Sequence, residues 1–208
     1  MKGRGLKKPR IDKKRDVQPT ISISLKDVIY RISYIIDRPV KTICEETCIH
    51  GLMSKKVLDE LSQHFKRSVQ FQNTMYIGRL DNPSVQRMSI MTAKERIGIR
   101  FKAFDYENIS TLAFALGVTP SRATALLLEA SIKDNDFINA YLEKHLAYTL
   151  DDNRMKELRK VIRYLNINNP YDEKISWLAL LTYIFNEVKD SAVSVHDTLV
   201  DYLNKWRD

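Results

Sequence analysis

The chain has 208 residues with 44% hydrophobic and 29% charged side chains, a composition typical of a soluble globular protein of one or two domains. No apolar stretch approaches the roughly 20 residues that cross a bilayer, and two cysteines do not make a disulfide framework. The composition therefore excludes membrane-spanning, collagen-like and disulfide-rich proteins. The basic N-terminus is not typical of a signal peptide, because no apolar segment follows it.

The net charge of +8 is unevenly distributed along the chain. Residues 1–19 carry eight basic and two acidic side chains, and residues 20–102 carry 14 basic and eight acidic ones. Residues 103–208 carry 12 basic and 16 acidic side chains. The front half is therefore strongly basic, which favours a polyanionic partner, with nucleic acid as the first candidate.

Residues 1–19 contain glycines, prolines and few side chains to bury, so we expect a disordered basic arm. Such an arm can lie along DNA phosphates and gain affinity by counterion release. A solubilising tail is the alternative. The arm residues expected to contact phosphates are Lys7, Lys8, Arg10, Lys13, Lys14 and Arg15.

The segment 20–53 predicts a strand followed by two helices. Residues 20–25 alternate polar and apolar side chains with the period of a strand. Apolar residues at helical spacing follow at about 27–37. Pro39 ends this helix, and a second helix is expected at about 40–53.

The segment 54–95 separates this unit from a second one. It predicts a helix at 54–66, strand residues at 69–77 that fit a small hairpin or an edge strand, and a turn-rich connection. Two roles stay open for this insertion. It packs under the neighbouring elements, or it contacts the flanks of a bound nucleic acid.

The segment 96–132 repeats the order of strand, helix and helix. Residues 96–101 alternate polar and apolar side chains, and apolar residues at helical spacing follow at about 104–116. Gly117 suits the left-handed residue that ends a helix. Thr119-Pro120 then supplies an N-cap and a first-turn proline for a second helix.

Residues 133–208 predict a helical C-terminal domain, with helices at about 134–148, 152–166, 172–190 and 194–206. Its apolar residues are expected to form the core of that domain, and an oligomerisation or partner surface is the alternative. These residues are Leu158, Val161, Ile162, Leu165, Trp177, Leu178, Leu180, Leu181, Ile184 and Phe185.

The two units resemble the ribbon-helix-helix fold of Arc/MetJ/CopG-type DNA-binding proteins. The stretch RIGIRF…YENISTLAFALGVTPSRATALLLEASI is similar to that family's strand, helix, Gly-Val-x-x-Ser turn and helix. TISISLKDVIYRISYIIDRPVKTICEETCIHGLM follows the same order with a turn that lacks glycine, and Ile21 aligns with Ile97, 76 residues later. The resemblance implies a mainly α protein with a short β-ribbon, a tandem ribbon-helix-helix pseudo-dimer (20–53 and 96–132) followed by the helical domain.

In that family two strands pair antiparallel and enter the major groove of DNA, and the N-terminus of each second helix contacts a phosphate. The resemblance therefore implies a ribbon of two unlike strands within one chain, and an asymmetric target for one monomer. The residues implied to bind DNA are Thr20, Ser22, Ser24, Arg96, Gly98, Arg100 and Lys102 on the ribbon, and Lys41, Thr42, Thr119, Ser121 and Arg122 at the helix N-termini.

The sequence has no pattern typical of an enzyme or a metal site. P-loop, GxGxxG, HExxH and GxSxG motifs are missing from it. Cys44 and Cys48 lie one helical turn apart near His50, but this is not the spacing of a zinc site, and free cysteines are more often buried core residues. We therefore expect no catalytic residue, no metal and no cofactor.

The sequence thus predicts a sequence-specific double-stranded DNA-binding protein, with transcriptional repression as the leading role, in the cytoplasm on a nucleoid or plasmid. The alternative is a DNA-tethered accessory or adaptor protein of a plasmid or phage, in partition, copy control or DNA processing. That protein would act through residues 133–208, where self-association or a protein partner is also expected. RNA binding is less favoured, because the strands lack exposed aromatic residues for stacking.

Overall fold

The computed structural model describes residues 14–86, 93–145 and 152–168, and these are mainly helical with short antiparallel strand pairs. The predicted class, mainly α with small ribbons, is confirmed. In chain order the elements are β1 (Arg15–Val17), β2 (Thr20–Ser22), α1 (Ile23–Ile36), α2 (Val40–Met53), α3 (Lys55–Ser62), β3 (Val69–Phe71), β4 (Thr74–Tyr76), β5 (Lys94–Arg96), β6 (Ile99–Phe101), α4 (Ala103–Leu116), α5 (Pro120–Ile132), α6 (Asn135–His145) and α7 (Asp152–Asn168).

Two of the strand pairs form one β-ribbon between distant parts of the chain. β1 pairs antiparallel with β6 and β2 with β5, and in both pairings residue i lies opposite residue 116 − i. The register continues through the break between them, where the N–H of Ile97 donates to the carbonyl of Pro19 at 3.0 Å. The ladder is interrupted there because Pro19 has no N–H to return that bond. Residues 15–22 and 94–101 are together called the ribbon below.

The first strand lies earlier in the chain than the alternation at 20–25 predicts. It ends at Ser22, whose hydroxyl accepts a hydrogen bond from the N–H of Leu25 at 3.2 Å, as the N-cap of a helix does. Helix α1 therefore begins at Ile23. Leu25 is buried, but it belongs to the apolar stripe of this helix and not to a strand.

The two strand-helix-helix segments are spaced by 80 residues, not by the predicted 76. α1 and α4 are both 14 residues long and begin 80 residues apart, and α2 and α5 begin at Val40 and Pro120. The turns correspond as well, since Asp37 and Gly117 both have positive φ, of 52° and 68°. Glycine is the usual residue in this conformation, and Asp is one of the few others that adopt it.

Helices α2 and α5 approach closely at one point. A Cβ atom at Gly51 would overlap the Ser131 hydroxyl oxygen and lie 2.9 Å from Leu127 Cδ1. Gly51 and Ser131 are also 80 residues apart, so they occupy equivalent positions in the two segments. Ser131 is fully buried, and its hydroxyl donates to the carbonyl of Leu127 at 2.7 Å. The contact between these helices therefore requires a residue without a side chain in α2.

The insertion between the two segments packs against the C-terminal end of α4. The backbone N–H groups of Lys66 and Arg67 donate to the carbonyl of Ala115 at 2.6 and 3.3 Å. The Arg67 guanidinium donates to the carbonyl of Phe114 and lies over its ring. These donors satisfy carbonyls that the last turn of a helix leaves unpaired. The strand residues at 69–77 form the hairpin of β3 and β4, so packing onto a neighbouring element is one role that the insertion has.

The described residues divide into two compact units. Residues 14–26, 41–86 and 93–131 belong to the first, and residues 27–40, 132–145 and 152–168 to the second. This division differs from the predicted domains, because most of α1 groups with α6 and α7.

The second unit contains contacts that explain this grouping. Arg31 of α1 forms an ion pair with Glu157 of α7, and a guanidinium nitrogen of Arg38 lies 2.8 Å from Nε2 of His145. Four of the predicted core residues are buried, namely Leu158, Val161, Ile162 and Leu165. The other predicted core residues (Trp177, Leu178, Leu180, Leu181, Ile184 and Phe185) and the helices predicted at 172–190 and 194–206 lie outside the described residues.

We expect Gly51→Ala to lower the free energy of unfolding by about 1–3 kcal/mol, because its methyl group over-packs the contact with Ser131. Gly98→Ala is the control, since a Cβ atom there meets no protein atom within 4 Å, and it should leave stability unchanged or slightly higher. Urea unfolding followed by circular dichroism compares the two variants with the wild type. Equal stabilities of the two variants would contradict the close approach of α2 and α5.

Candidate nucleic-acid interface

The ribbon has one buried and one exposed face. Successive side chains of a strand point to opposite sides, so the odd-numbered residues of both strands share one face and the even-numbered residues share the other. The buried odd-numbered residues are Val17, Pro19, Ile21, Ile97, Ile99 and Phe101. The even-numbered face, called the outer face below, is therefore the one available to a partner.

The outer face carries most of the ribbon residues predicted to bind DNA. Those that are exposed are Thr20, Arg96, Arg100 and, one residue beyond β6, Lys102. Gly98 is half-buried, and so is Ser22, whose hydroxyl caps α1. Ser24, predicted on the same face, is wrong as a ribbon residue: it lies in the first turn of α1, because the strand ends before it.

Three further residues of the outer face were not predicted from the sequence. Asp16 and Gln18 fall within the segment whose basic composition indicates an arm, and Lys94 precedes the alternation that begins at Arg96. All three are exposed. The sequence feature that could have identified Asp16 and Gln18 is the alternation of polar and apolar residues, which extends back from Ile21 through Pro19 to Val17.

The two arginines of the outer face have different residues opposite them. Asp16 lies directly opposite Arg100, and its carboxylate is 3.7 Å from Nε of that arginine. Thr20 lies opposite Arg96, so no acidic residue faces Arg96 across the ribbon. Lys94, opposite Ser22, adds a further positive charge at this end.

The centre of the ribbon holds its smallest residue. Gly98 lies opposite Gln18 in the shared register, and a side chain at Gly98 would meet open space. Neither a positive φ nor a neighbouring protein atom requires glycine at this position. A glycine within a strand is typical of places where a ligand or another backbone approaches closely.

The helix N-termini predicted to contact phosphates are both within the first unit. Thr119 caps α5, since its Oγ1 accepts from the N–H of Arg122 at 3.3 Å. The Arg122 guanidinium donates to the carbonyl of Val85 at 3.3 Å, which ties it to the insertion. Of the remaining predicted residues here, Lys41 is exposed, and Thr42 and Ser121 are half-buried.

Two of the residues predicted for the basic arm lie in or beside the ribbon. Arg15 belongs to β1, where it pairs with Phe101 in the ladder, and Lys14 forms an ion pair with Glu45 of α2 at 2.6 Å. The segment from 15 to 19 is therefore part of the ribbon and not of a disordered tail. The other predicted arm residues, Lys7, Lys8, Arg10 and Lys13, lie outside the described residues.

The two cysteines are buried side chains of α2. Burial raises the pKa of Cys44 to about 12 and raises the pKa of Cys48 well above its ordinary value. Both are therefore neutral thiols at physiological pH, whereas a metal ligand must be a thiolate. Within residues 14–86, 93–145 and 152–168, no three His, Cys, Asp or Glu side chains come together in a way that would hold a metal ion.

Comparison with known proteins gives no relative: no protein-family model, curated protein or solved structure matches the chain. In the described part of the chain, no single helix combines the length and the apolar content that crossing a membrane requires. Helices α4 and α5 pass that criterion only when they are taken together, and a 95° bend separates them. The interpretation of the outer face therefore depends on its own geometry and charge.

We expect Cys44 and Cys48 to be almost unreactive towards a thiol reagent at pH 8 in the folded protein and fully reactive in denaturant. Because folding raises both pKa values, the thiols contribute stability below the ordinary thiol pKa of 9.0, and this contribution is lost as the pH rises towards 12. Time-resolved labelling with and without denaturant measures the reactivity. Rapid labelling of the folded protein would contradict the burial of α2.

Proposed function

We propose that this protein binds double-stranded DNA sequence-specifically by placing the ribbon in the major groove. The observation that carries the proposal is the continuous ribbon itself. Two segments nearly 80 residues apart pair in a single register, bury one face and expose a second face with three cationic side chains, those of Lys94, Arg96 and Arg100.

The dimensions of the ribbon suit the major groove. Paired strands lie about 4.8 Å apart, and the major groove of B-DNA, about 12 Å wide, admits a two-stranded ribbon with its side chains. Because six of its odd-numbered residues are buried, the ribbon is proposed to approach DNA through the outer face. A glycine at position 98 supports this arrangement, because it leaves room for the closest approach at the centre of the ribbon.

The chemistry of the outer face favours contacts with base edges. An arginine can donate two hydrogen bonds to O6 and N7 of guanine, whereas threonine and serine are less selective. Arg96 and Arg100 are therefore the residues proposed to specify bases. Thr20 and Gln18 complete the face as weaker or adaptable contacts.

The 80-residue spacing supports a tandem ribbon-helix-helix arrangement within one chain. First helix, turn and second helix recur at this interval, including the left-handed turn residues Asp37 and Gly117, and the strands begin 79 residues apart. In the proposed arrangement one molecule provides both halves of the ribbon. The halves have unlike side chains, so the target of one monomer is asymmetric.

The biological role that we propose is regulation at a specific DNA site. In the ribbon-helix-helix proteins that the chain resembles, such binding commonly represses transcription and also serves plasmid copy control, partition and DNA processing. These roles share the DNA-binding step, which is the step that the outer face supports. An accessory protein of a plasmid or phage would use the same interface.

We expect Arg96→Ala and Arg100→Ala each to cost about 1–3 kcal/mol of discrimination between the preferred site and the same site with one base pair changed. Selection of bound fragments from a random DNA pool at physiological salt, followed by sequencing, defines the preferred site for each protein. Titrations with matched and mismatched duplexes then give the discrimination.

The matched control for these variants is Arg79→Ala, which removes an exposed arginine of the insertion instead of one on the ribbon. It should retain the motif that the wild type selects. If Arg96→Ala and Arg100→Ala select the same motif as the wild type with the same discrimination, the ribbon does not contact bases. A wild-type pool without any motif would refute sequence-specific binding altogether.

We expect deletion of residues 1–13 to weaken binding to all DNA sequences and to flatten its salt dependence. This segment carries six basic residues and one acidic residue, and the slope of log affinity against log salt falls by about 0.9 for each phosphate contact that is lost. A version of residues 1–13 with the same composition in shuffled order is the control, and it should keep the wild-type slope. An unchanged slope after deletion would show that the segment does not contact phosphates.

A further inference from the structure

The outer face contains one acidic side chain among its even-numbered positions from 14 to 22 and from 94 to 102, that of Asp16. A carboxylate on a surface that meets DNA is repelled by the phosphates, and it opposes the counterion release that drives general DNA binding. The ion pair with Arg100 offers little compensation in stability. Both side chains are exposed, 54% for Asp16 and 69% for Arg100, and exposed pairs contribute little. Asp16 therefore calls for an explanation other than folding.

The 80-residue spacing of the two segments identifies the residue that is equivalent to Asp16. It places Asp16 at the position equivalent to Arg96, and Thr20 at the position equivalent to Arg100. The pair of Asp16 with Arg100 is thus the counterpart of the pair of Thr20 with Arg96. One pair is electrically neutral and the other carries one positive charge, so Asp16 creates a charge difference between these two equivalent pairs.

The geometry of the ion pair indicates how Asp16 acts. The carboxylate is nearest to Nε of Arg100, and the two terminal guanidinium nitrogens remain for the two hydrogen bonds that guanine accepts. The attraction between the two side chains favours the rotamers of Arg100 that keep Nε near the carboxylate, so fewer rotamers are lost when this arginine binds guanine. At a site without guanine, Arg100 must leave Asp16 to reach a phosphate, and the carboxylate is then left beside the DNA without its partner.

We infer that Asp16 is a specificity-determining residue of the ribbon, which restrains Arg100 for guanine and penalises DNA that lacks guanine at that position. The inference rests on the proposed DNA-binding function. It also assigns an orientation to the complex, in which the half with Asp16 and Arg100 lies at the guanine. Asp16 acts through Arg100 and is thus a positioning residue.

The test compares wild type, Asp16→Asn and Asp81→Asn. The control removes the same charge from an exposed aspartate of the insertion, so both variants have the same net charge. Affinities are measured for the site selected by the wild type, for that site with each guanine replaced, and for random DNA. We expect Asp16→Asn to bind random DNA about fivefold more tightly, the effect of one unit charge near a phosphate in water. Its ratio of site affinity to random-DNA affinity falls accordingly, while Asp81→Asn keeps the wild-type ratio.

Three outcomes have distinct meanings. If Asp16→Asn and Asp81→Asn give the same ratio, Asp16 does not determine specificity, and the proposed function stands. If the wild type selects no motif, the proposed function fails and this inference fails with it. A double-mutant cycle separates action through Arg100 from a general charge effect: in the Arg100→Ala background, Asp16→Asn should no longer change discrimination at the guanine. A full effect in that background would overturn the positioning role.

Discussion

The pairing of residues 15–22 with residues 94–101 is the constraint on which the first unit depends. A two-stranded ribbon is only marginally stable by itself in water, and here its strands are separated by more than 70 residues, so loop closure opposes it by about 4 kcal/mol. Burial of the apolar face of the ribbon compensates for this free-energy cost. Ile99 and Phe101 are fully buried, and each such side chain stabilises the folded state by about 1.5–3 kcal/mol. The ribbon therefore forms only together with the elements that cover its odd-numbered face.

This dependence divides the side chains of the two strands into two sets. Most of the odd-numbered residues are buried and contribute to stability, whereas most of the even-numbered residues are exposed and contribute little to it. Gly98 shows the separation most clearly, because no protein atom lies near the place of a missing Cβ atom. Gly51 shows the opposite case, in which the absence of a side chain is a requirement of packing. Glycine is therefore present at these two positions for different physical reasons.

Local periodicity predicted the described helices, whereas the pairing of two strands in a ribbon was implied by the resemblance to ribbon-helix-helix proteins. α4, Gly117 and α5 follow directly from helical spacing and capping residues. The limits of the first strand were not predictable in the same way. The alternation at 20–25 fits a strand and also fits the first turn of an amphipathic helix, and only the hydrogen bond from Leu25 to Ser22 distinguishes them.

The candidate site was correspondingly predicted in part. Arg96, Gly98 and Arg100 lie in a strand with clear alternation, so their common face follows from the sequence. Asp16 and Gln18 lie in a segment whose basic composition suggests a tail, and Pro19 masks its strand character. Their position becomes clear only from the register with β5 and β6, which is a contact between distant residues. The amino-acid composition of a segment depends on that segment alone, whereas strand pairing also depends on the segment with which it pairs.

In the proposed arrangement, a ribbon within one chain also allows its two strands to carry different side chains at equivalent positions. In a symmetric homodimer each substitution appears twice, so an aspartate in place of an arginine would neutralise both halves of the ribbon. Here the equivalent positions 16 and 96 hold Asp and Arg. Closing one loop replaces the association of two molecules, which costs about 4–15 kcal/mol. The single chain can therefore form its ribbon at any concentration and can match an asymmetric DNA site with two unlike halves.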